Sequence, residues 1–492
     1  MNDISHAREA LAELANAPSV EVYDGGKRLP FLTGFRLELR ERSGKLLLHL
    51  WSEEGTLVRR VLRLVERTEE SVVLEVARFG QTKPGRLEIL RPSRAQAARP
   101  SRQQFRLRLG RLLESQFPDE KVESLTATRD LERSFSGSYV RCITVRNARA
   151  WAVMGVSSAE ARDTQDGILT YGLLWLDWNR THPGKQSWAG LRLFVPMGSA
   201  RATAYRMRAL SPAVKVELYE VDEVNWRATQ VDPADAGNLD TRLTAHKDSQ
   251  RAMDAAQGAI RSVRELAPEA IDAIVPPGTS DVAVRFHGLE FARWRHGRLE
   301  FGLEEEKHQT LASGNWKALE RLVKRLRRWR AADSEDNKHT LYRAQPERWL
   351  ESMVLREPAR LDARLDHNHL YSQVPAFSAS DRGVLDLLGI RLDGRLVVIE
   401  LKASEDIHLA LQAADYWLRV RTHQQRGEFQ PHGYFAGAQW QEKPPELWLV
   451  APGFRFHPAT EVILRYLSPE IEVTRVGLNE NWRAGIQVIY RQ

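Results

Sequence analysis

Cysteine is nearly absent: Cys142 is the only one in 492 residues. That excludes an intramolecular disulfide framework and any zinc site built on several thiolates. Long apolar runs are missing too, so no membrane-spanning helix is expected. The opening "MNDISHAREALAELANAP" has no basic segment followed by an apolar one, so no signal peptide is expected. A cytoplasmic location, with no membrane partner, fits these absences. Residues 103–230 lack a glycine-rich loop of the kind that cradles phosphates, which counts against a nucleotide switch there. What remains is the composition of a globular protein, 42% hydrophobic and 28% charged. The length exceeds what one core supports and suits three or four domains. A formal net charge of +7 is compatible with a polyanionic partner.

The chain repeats part of itself. "LRLFVPMGSARATAYRMRALSPAVKVELYEVDEVNWRATQV", from Leu191, is echoed by "LWLVAPGFRFHPATEVILRYLSPEIEVTRVGLNENWRAGIQV", from Leu447. In each, a strand ends in proline (Pro196, Pro452), a helix runs into "LSP", and strands end in "NWRA". Upstream, "WAVMGVSSAE" (Trp151 to Glu160) lies against "LVVIELKASE" (Leu396 to Glu405). "ILTYGLLWL" lies against "ALQAADYWL", and "LLESQF" against "WLESMV". Each copy therefore reads as an α/β layer structure with a mixed central sheet. Residues 1–95 read as a small antiparallel β domain and 103–230 as copy one. Residues 235–338 read as linker, β hairpin (280–303) and basic helix, and 339–492 as copy two. The stretches 91–102 and 231–250 read as linkers.

Copy two carries charges that copy one lacks. In "RLVVIELKA" a buried strand ends in Glu400 and Lys402, two residues apart and so on one face. An isolated buried charge is costly, so each needs a partner, an ion or a wet edge. In the repeat, Glu400 falls opposite Gly155 and Lys402 opposite Ser157. Asp386 falls opposite Val140 or Arg141, Glu347 opposite Gly110, Gln412 opposite Thr170 and Tyr416 opposite Leu174. The apolar frame can thus be built without this polar set, which points to a site in copy two alone. Glu351, one helical turn after Glu347, has a counterpart in Glu114, so it is assigned a structural or surface role. His408 reads as a solvated residue at a helix start.

Asp386, then Glu400-Leu401-Lys402 on the next strand, then Gln412-x-x-x-Tyr416 on the following helix, resembles a PD-(D/E)xK nuclease core. The run "ERWLESMVLREPARLD … GVLDLLGIRLDGRLVVIELK … LALQAADYW" is similar to the nuclease domain of the NucS (EndoMS) endonucleases, with a RecB-like Gln-x-x-x-Tyr element. Leu385 stands where the superfamily name has proline. The resemblance covers residues 340–420. It implies a restriction-endonuclease-like core, present here as two tandem copies with the first degenerate. It also implies metal-dependent hydrolysis of DNA, in repair, recombination or defence. Mg²⁺ or Mn²⁺ would be held by Asp386 and Glu400, with Glu347 and the Leu401 backbone carbonyl as further ligands. Lys402 would orient or deprotonate the attacking water or stabilise the transition state, and Gln412 and Tyr416 would hold water, lysine or strand.

The helix "NWKALERLVKRLRRWRAAD" has an apolar stripe of Leu319, Leu322, Val323 and Leu326. Lys317, Arg321, Lys324, Arg325, Arg327, Arg328 and Arg330 make the rest basic and suited to a phosphate backbone. Trp294, Trp316 and Trp329 suit either base stacking or core packing. One active site in two copies suggests an intramolecular pseudo-dimer and single-strand or structure-selective cutting. A homodimer, RNA as substrate, a ligand-gated nuclease and a non-cleaving nucleic-acid scaffold stay open as alternatives.

Overall fold

Strands that alternate apolar and charged residues can bury one face only, and need something to cover it. In the N-terminal unit that cover is helix α1 (Asn2–Ala15). The structure, a computed structural model, describes residues 2–15, 21–24, 27–29, 36–42, 45–52, 55–68, 71–77, 84–90, 102–130, 134–182, 186–234, 241–246, 249–303, 308–378 and 384–492. Seven antiparallel strands follow α1: β1 (Glu21–Asp24), β2 (Lys27–Leu29), β3 (Arg36–Arg42), β4 (Lys45–Ser52), β5 (Gly55–Arg67), β6 (Ser71–Ala77) and β7 (Gly85–Leu90). Their order is β2-β1-β7-β6-β5-β4-β3. Leu46, Leu48 and Leu50 on β4 and Val72, Leu74 and Val76 on β6 pack with Ala7, Ala10 and Leu11 of α1. The expected linker 91–102 lies, up to residue 101, outside the described residues. Helix α2 (Arg102–Gln116) follows it.

The second unit holds two sheets of the same plan. In copy one the order is β13-β12-β11-β10-β9-β8, from β8 (Lys121–Thr126), β9 (Tyr139–Arg146), β10 (Arg149–Val156), β11 (Ser187–Pro196), β12 (Val216–Asp222) and β13 (Arg227–Val231). Copy two has β20 (Leu365–Ser378), β21 (Val384–Arg391), β22 (Leu396–Leu401), β23 (Glu446–Pro452), β24 (Glu472–Leu478) and β25 (Val488–Arg491). In both sheets two antiparallel pairings lead to two parallel ones and a final antiparallel one. The parallel steps need crossovers. Helices α3 (Ile168–Thr181) and α4 (Ala200–Met207) lie in the crossovers of copy one.

Between the copies the chain forms a 5-stranded sheet of β15 (Ile271–Ile274), β16 (Val282–Phe286), β17 (Leu289–Arg295), β18 (Arg298–Phe301) and β19 (Gln309–Thr310). The segment expected to be a hairpin is therefore the middle of a larger sheet, whose edge strands are too short to announce themselves. Helices α5 (Ser249–Arg264) and α6 (Trp316–Trp329) pack on it through Ala256, Ile260, Val263, Leu319, Val323 and Leu326. The expected linker 231–250 also contains a strand, β14 (Thr241–Leu243), which pairs with β20 at the edge of the second sheet.

In copy two, helices α7 (Pro346–Arg356), α8 (Leu409–Gln425) and α9 (Pro458–Leu464) flank the sheet. Proline at the first position suits both α7 and α9, because its missing N–H would have no helical partner there.

The copies meet through a pseudo-two-fold arrangement. Helix α3 of copy one packs on α9 of copy two, and α4 on α8. At the centre the Ser211 amide donates to the Tyr466 carbonyl at 2.9 Å, and the Ser468 amide to the Ala209 carbonyl at 2.8 Å. Ser211 and Ser468 hold the same place in the two "LSP" motifs, so each bond is the other's symmetry mate. One apolar core runs through both copies, joining Met154, Leu173 and Leu193 to Val398, Leu411 and Leu449. This is the isologous geometry of a two-fold dimer, within one chain.

Candidate active site

The site grows from the β21–β22 ladder. Leu387 pairs with Ile399 and Leu388 with Val398, so one more step of this register sets Asp386 opposite Glu400. The Asp386 carboxylate accepts from the Leu401 amide at 3.0 Å, which fixes it against the next strand. Glu400 is only 4% exposed, and its Oε2 has no hydrogen-bond partner among the described residues. Lys402 Nζ stands 3.6 Å from Glu400 Oε1 and 3.0 Å from Asp406 Oδ2. Arg348 Nη1 lies 4.0 Å from Asp386 on the other side.

Burial sets the protonation of this group. It pushes Asp386 up to about 6, against the Leu401 hydrogen bond and Arg348, which act downward. Burial, together with the Asp386 charge, lifts Glu400 well above the carboxylate range. For Lys402 burial disfavours the charge, but Glu400 and Asp406 outweigh it and raise the ammonium above its ordinary value. Lys402 is thus a fixed cation at neutral pH, suited to orienting water or stabilising an oxyanion and poorly suited to taking a proton.

The other expected residues take distinct places. Glu347, in the first turn of α7, accepts from the Ala403 amide at 3.3 Å, one residue past Lys402. It is not gathered with Asp386 and Glu400: among the described residues no group of three or more His, Cys, Asp or Glu is disposed to hold a metal ion. Gln412 is half-buried on α8 and its side chain makes no hydrogen bond among the described residues. Tyr416 is half-buried one turn on; burial, then the Glu400 charge, pushes its phenol far above the usual range. Glu351 is fully buried and bonded to Arg285 Nη1 at 2.9 Å and to Arg348, the structural role expected of it.

Sequence reasoning missed Asp406 and Arg348. The spacing Lys402 to Asp406, one helical turn, was the available signal for the first. It also misjudged His408, which is not solvated. Its Nδ1 meets the Thr170 hydroxyl of copy one at 2.9 Å, and its ring stands edge-on to Tyr171. Its amide donates to Asp406 at 2.8 Å, so the residue that pairs with Lys402 is anchored next to the interface.

No protein-family model and no curated protein sequence matches the chain.

Register refines the comparison between copies. Leu193 and Leu449 are equivalent in "LRLFVP" and "LWLVAP"; they pair with Met154 and Glu400 respectively. Met154 in turn pairs with Arg141. The counterparts of Glu400, Asp386 and Lys402 are therefore Met154, Arg141 and Val156, one residue from the Gly155 and Ser157 expected for the strand pair. In copy one the space is closed: Arg141 donates to the Thr128 carbonyl at 2.7 Å and lies over the Phe135 ring, while Met154 and Val156 are core.

The basic helix divides. Its apolar stripe is inward as expected, and Lys317, Arg321, Lys324, Arg325 and Arg328 are exposed. Arg327 is exposed but pairs with Glu269 at 3.1 Å. Arg330 is wholly buried and does not belong to the surface set. It follows the last helical residue, so the helical wheel no longer places it. Its guanidinium donates to the carbonyls of Phe286, His287, Leu341, Ala344 and Gln345. That ties the β16–β17 turn to the entry of α7. Trp294 and Trp316 pack against the small sheet's core, and Trp329 stacks on His339 at 4.5 Å.

The same turn explains one glycine. Gly288 has φ +77°, and a Cβ there would stand 1.9 Å from the Arg348 carbonyl oxygen. Gly288→Ala must push the turn off α7, at a cost on the order of 2–3 kcal/mol. The expected outcome is a lower urea midpoint, together with weaker activity of whatever kind the site supports, because Arg348 and Glu347 ride on that helix. An unchanged midpoint would show that the turn yields freely.

Proposed function

We propose that copy two is a metal-dependent nuclease of the PD-(D/E)xK type, with a restriction-endonuclease-like core, hydrolysing DNA phosphodiester bonds. Copy one is its degenerate intramolecular partner. The observation that carries this reading is the half-buried Asp386 opposite the buried Glu400, with one Glu400 oxygen unpartnered among the described residues, beside a lysine held in its charged form. Burial raises both carboxyls, and the Asp386 charge raises Glu400 further, despite Lys402 and Arg348 nearby; the Glu400 oxygen left without a partner among the described residues is available as a hard ligand. Mg²⁺ and Mn²⁺ suit such a place, since they bind through one or two carboxylates and leave positions for water and substrate phosphate. Asp386 and Glu400 would hold the ion, which supplies charge neutralisation and a more acidic water.

The chain's own residues do the rest. Lys402, fixed between Glu400 and Asp406, orients the attacking water and offsets negative charge on the phosphoryl oxygens. Asp406 keeps Lys402 aimed. Glu347 holds the backbone just beyond Lys402, and Tyr416 closes the helix side with a neutral phenol. The exposed cations of α6 offer a track for the phosphate backbone whose attraction falls with salt.

The test compares wild type with Lys402→Ala on labelled single strands, flaps, mismatched duplex, plain duplex and RNA, each with Mg²⁺, Mn²⁺ or EDTA. Cleavage that needs the metal and falls by about 10³-fold or more in the variant supports the nuclease reading. Binding of DNA with a steep salt dependence and no cleavage of any member replaces it with the non-cleaving scaffold.

A further inference from the structure

Beyond the carboxylate pair, copy two holds a cation with no anion in a salt bridge to it among the described residues. Arg483, from the "NWRA" motif, is half-buried, and its guanidinium lies 4.2 Å from the Trp482 ring centre, 4.6 Å from Tyr342 and 5.1 Å from Trp349. Three rings therefore fix where it points. Its Nε is buried and has no hydrogen-bond partner among the described residues. The groups that favour its charge are the Tyr342 phenol and, acting through space, Glu347 at the edge of the candidate site. Burial outweighs both and holds the guanidinium below its ordinary value.

A second guanidinium stands close behind. Arg330 lies 4.9 Å from the same Trp349 ring and is satisfied entirely by carbonyls. Burial and the Arg483 charge push Arg330 down to about 9. Two like charges on one indole, with mostly neutral acceptors around them, leave net positive potential at that spot. An arginine held by aromatic rings, with no carboxylate bonded to it among the described residues, is suited to an oxyanion such as phosphate. The equivalent residue of copy one, Arg227, is exposed on β13 with no ring against it among the described residues, so the box belongs to copy two.

We propose that Arg483 is a substrate-positioning residue that takes a backbone phosphate of the nucleic-acid strand beside Glu347. This rests on the nuclease reading and names a contact that the carboxylate–lysine set does not supply. The phosphate binds through charge and hydrogen bonds only, and no bond is made or broken at Arg483.

The experiment measures binding of a labelled single-stranded oligonucleotide to the full chain by anisotropy in EDTA, across a salt series. Wild type, Arg483→Gln, Arg483→Lys and, as a control in the same motif, Arg227→Gln are compared. Arg483→Gln is expected to weaken binding about tenfold and to lower the slope of log K against log salt by about 1. Arg483→Lys should keep the slope, and Arg227→Gln should change neither quantity by more than about twofold. A variant that is partly unfolded would lower the bound fraction at saturation and leave the slope alone, which separates a structural effect. Wild-type binding with an unchanged slope in Arg483→Gln, or an equal loss in Arg227→Gln, overturns this inference and leaves the nuclease reading standing. Failure of wild type to bind or cut any nucleic acid overturns both.

Discussion

At pH 8 in EDTA, Glu400→Gln and Asp386→Asn will each unfold at a higher denaturant concentration than wild type, while losing cleavage. Both carboxyls are held above their ordinary values, Asp386 at about 6. A raised carboxyl binds more protons in the folded chain than in the unfolded one between about pH 4 and the folded value. Stability therefore falls as pH rises through that window, and the loss is complete above it. For Asp386 the difference amounts to on the order of 3 kcal/mol at about 1.36 kcal/mol per unit. The amides remove the charge and keep the shape, and the amide oxygen that replaces the Asp386 carboxylate could still accept from the Leu401 N–H. The gain should shrink as the pH is lowered toward ~3, where the wild-type carboxyls are protonated in both states. Mg²⁺ or Mn²⁺ should raise the wild-type midpoint at pH 8 and leave the Glu400→Gln midpoint where it is. A wild type that grows more stable from pH 5 to 8 in EDTA would contradict the charge balance described for the site.

Glu351→Ala should act in the opposite sense, lowering stability by about 3–5 kcal/mol. The side chain is fully buried between Arg285 and Arg348, so its removal takes a carboxylate partner from each of two guanidiniums. Arg285 keeps Asp272 at 2.8 Å, whereas Arg348 loses its carboxylate partner and stays 4.0 Å from Asp386. Cleavage should fall as well, because an untethered Arg348 can pair fully with Asp386 and compete with a cation there. Replacing Arg285 and Glu351 together by methionine should recover part of the stability, since an apolar pair of similar volume avoids desolvating charge. The check is a denaturant midpoint for the unit containing Trp349. A midpoint within about 0.5 kcal/mol of wild type would mean that water already reaches this pair.

The duplication was legible because the apolar frame was kept in both copies: "LRLFVP" and "LWLVAP", the two "LSP" corners and the two "NWRA" ends survive as strings. That Glu400 and Lys402 share one face was legible from strand alternation alone, whereas Asp386 was joined to them through the resemblance and not by any local pattern. The one-residue slip between β10 and β22 was not legible, because it shows only in the pairing of each strand with its parallel neighbour. Arg330 was misassigned because a wheel drawn through α6 continues past the residue where the helix stops. His408 and Thr170, 238 positions apart, could not be joined by any local pattern. The small sheet was underread because its edge strands β15 and β19 span four and two residues, too few for a period to show.

The paired bonds at Ser211 and Ser468 have a consequence for dilution. Two separate subunits meeting through such a surface would come apart at low concentration, taking the Thr170–His408 contact and the footing of Asp406 with them. Tethered on one chain, the halves face each other at an effective concentration near the millimolar range, however few molecules are present. Activity per molecule should then be independent of how scarce the protein is. Each half is also free to change by itself, because a substitution in one is not copied into the other.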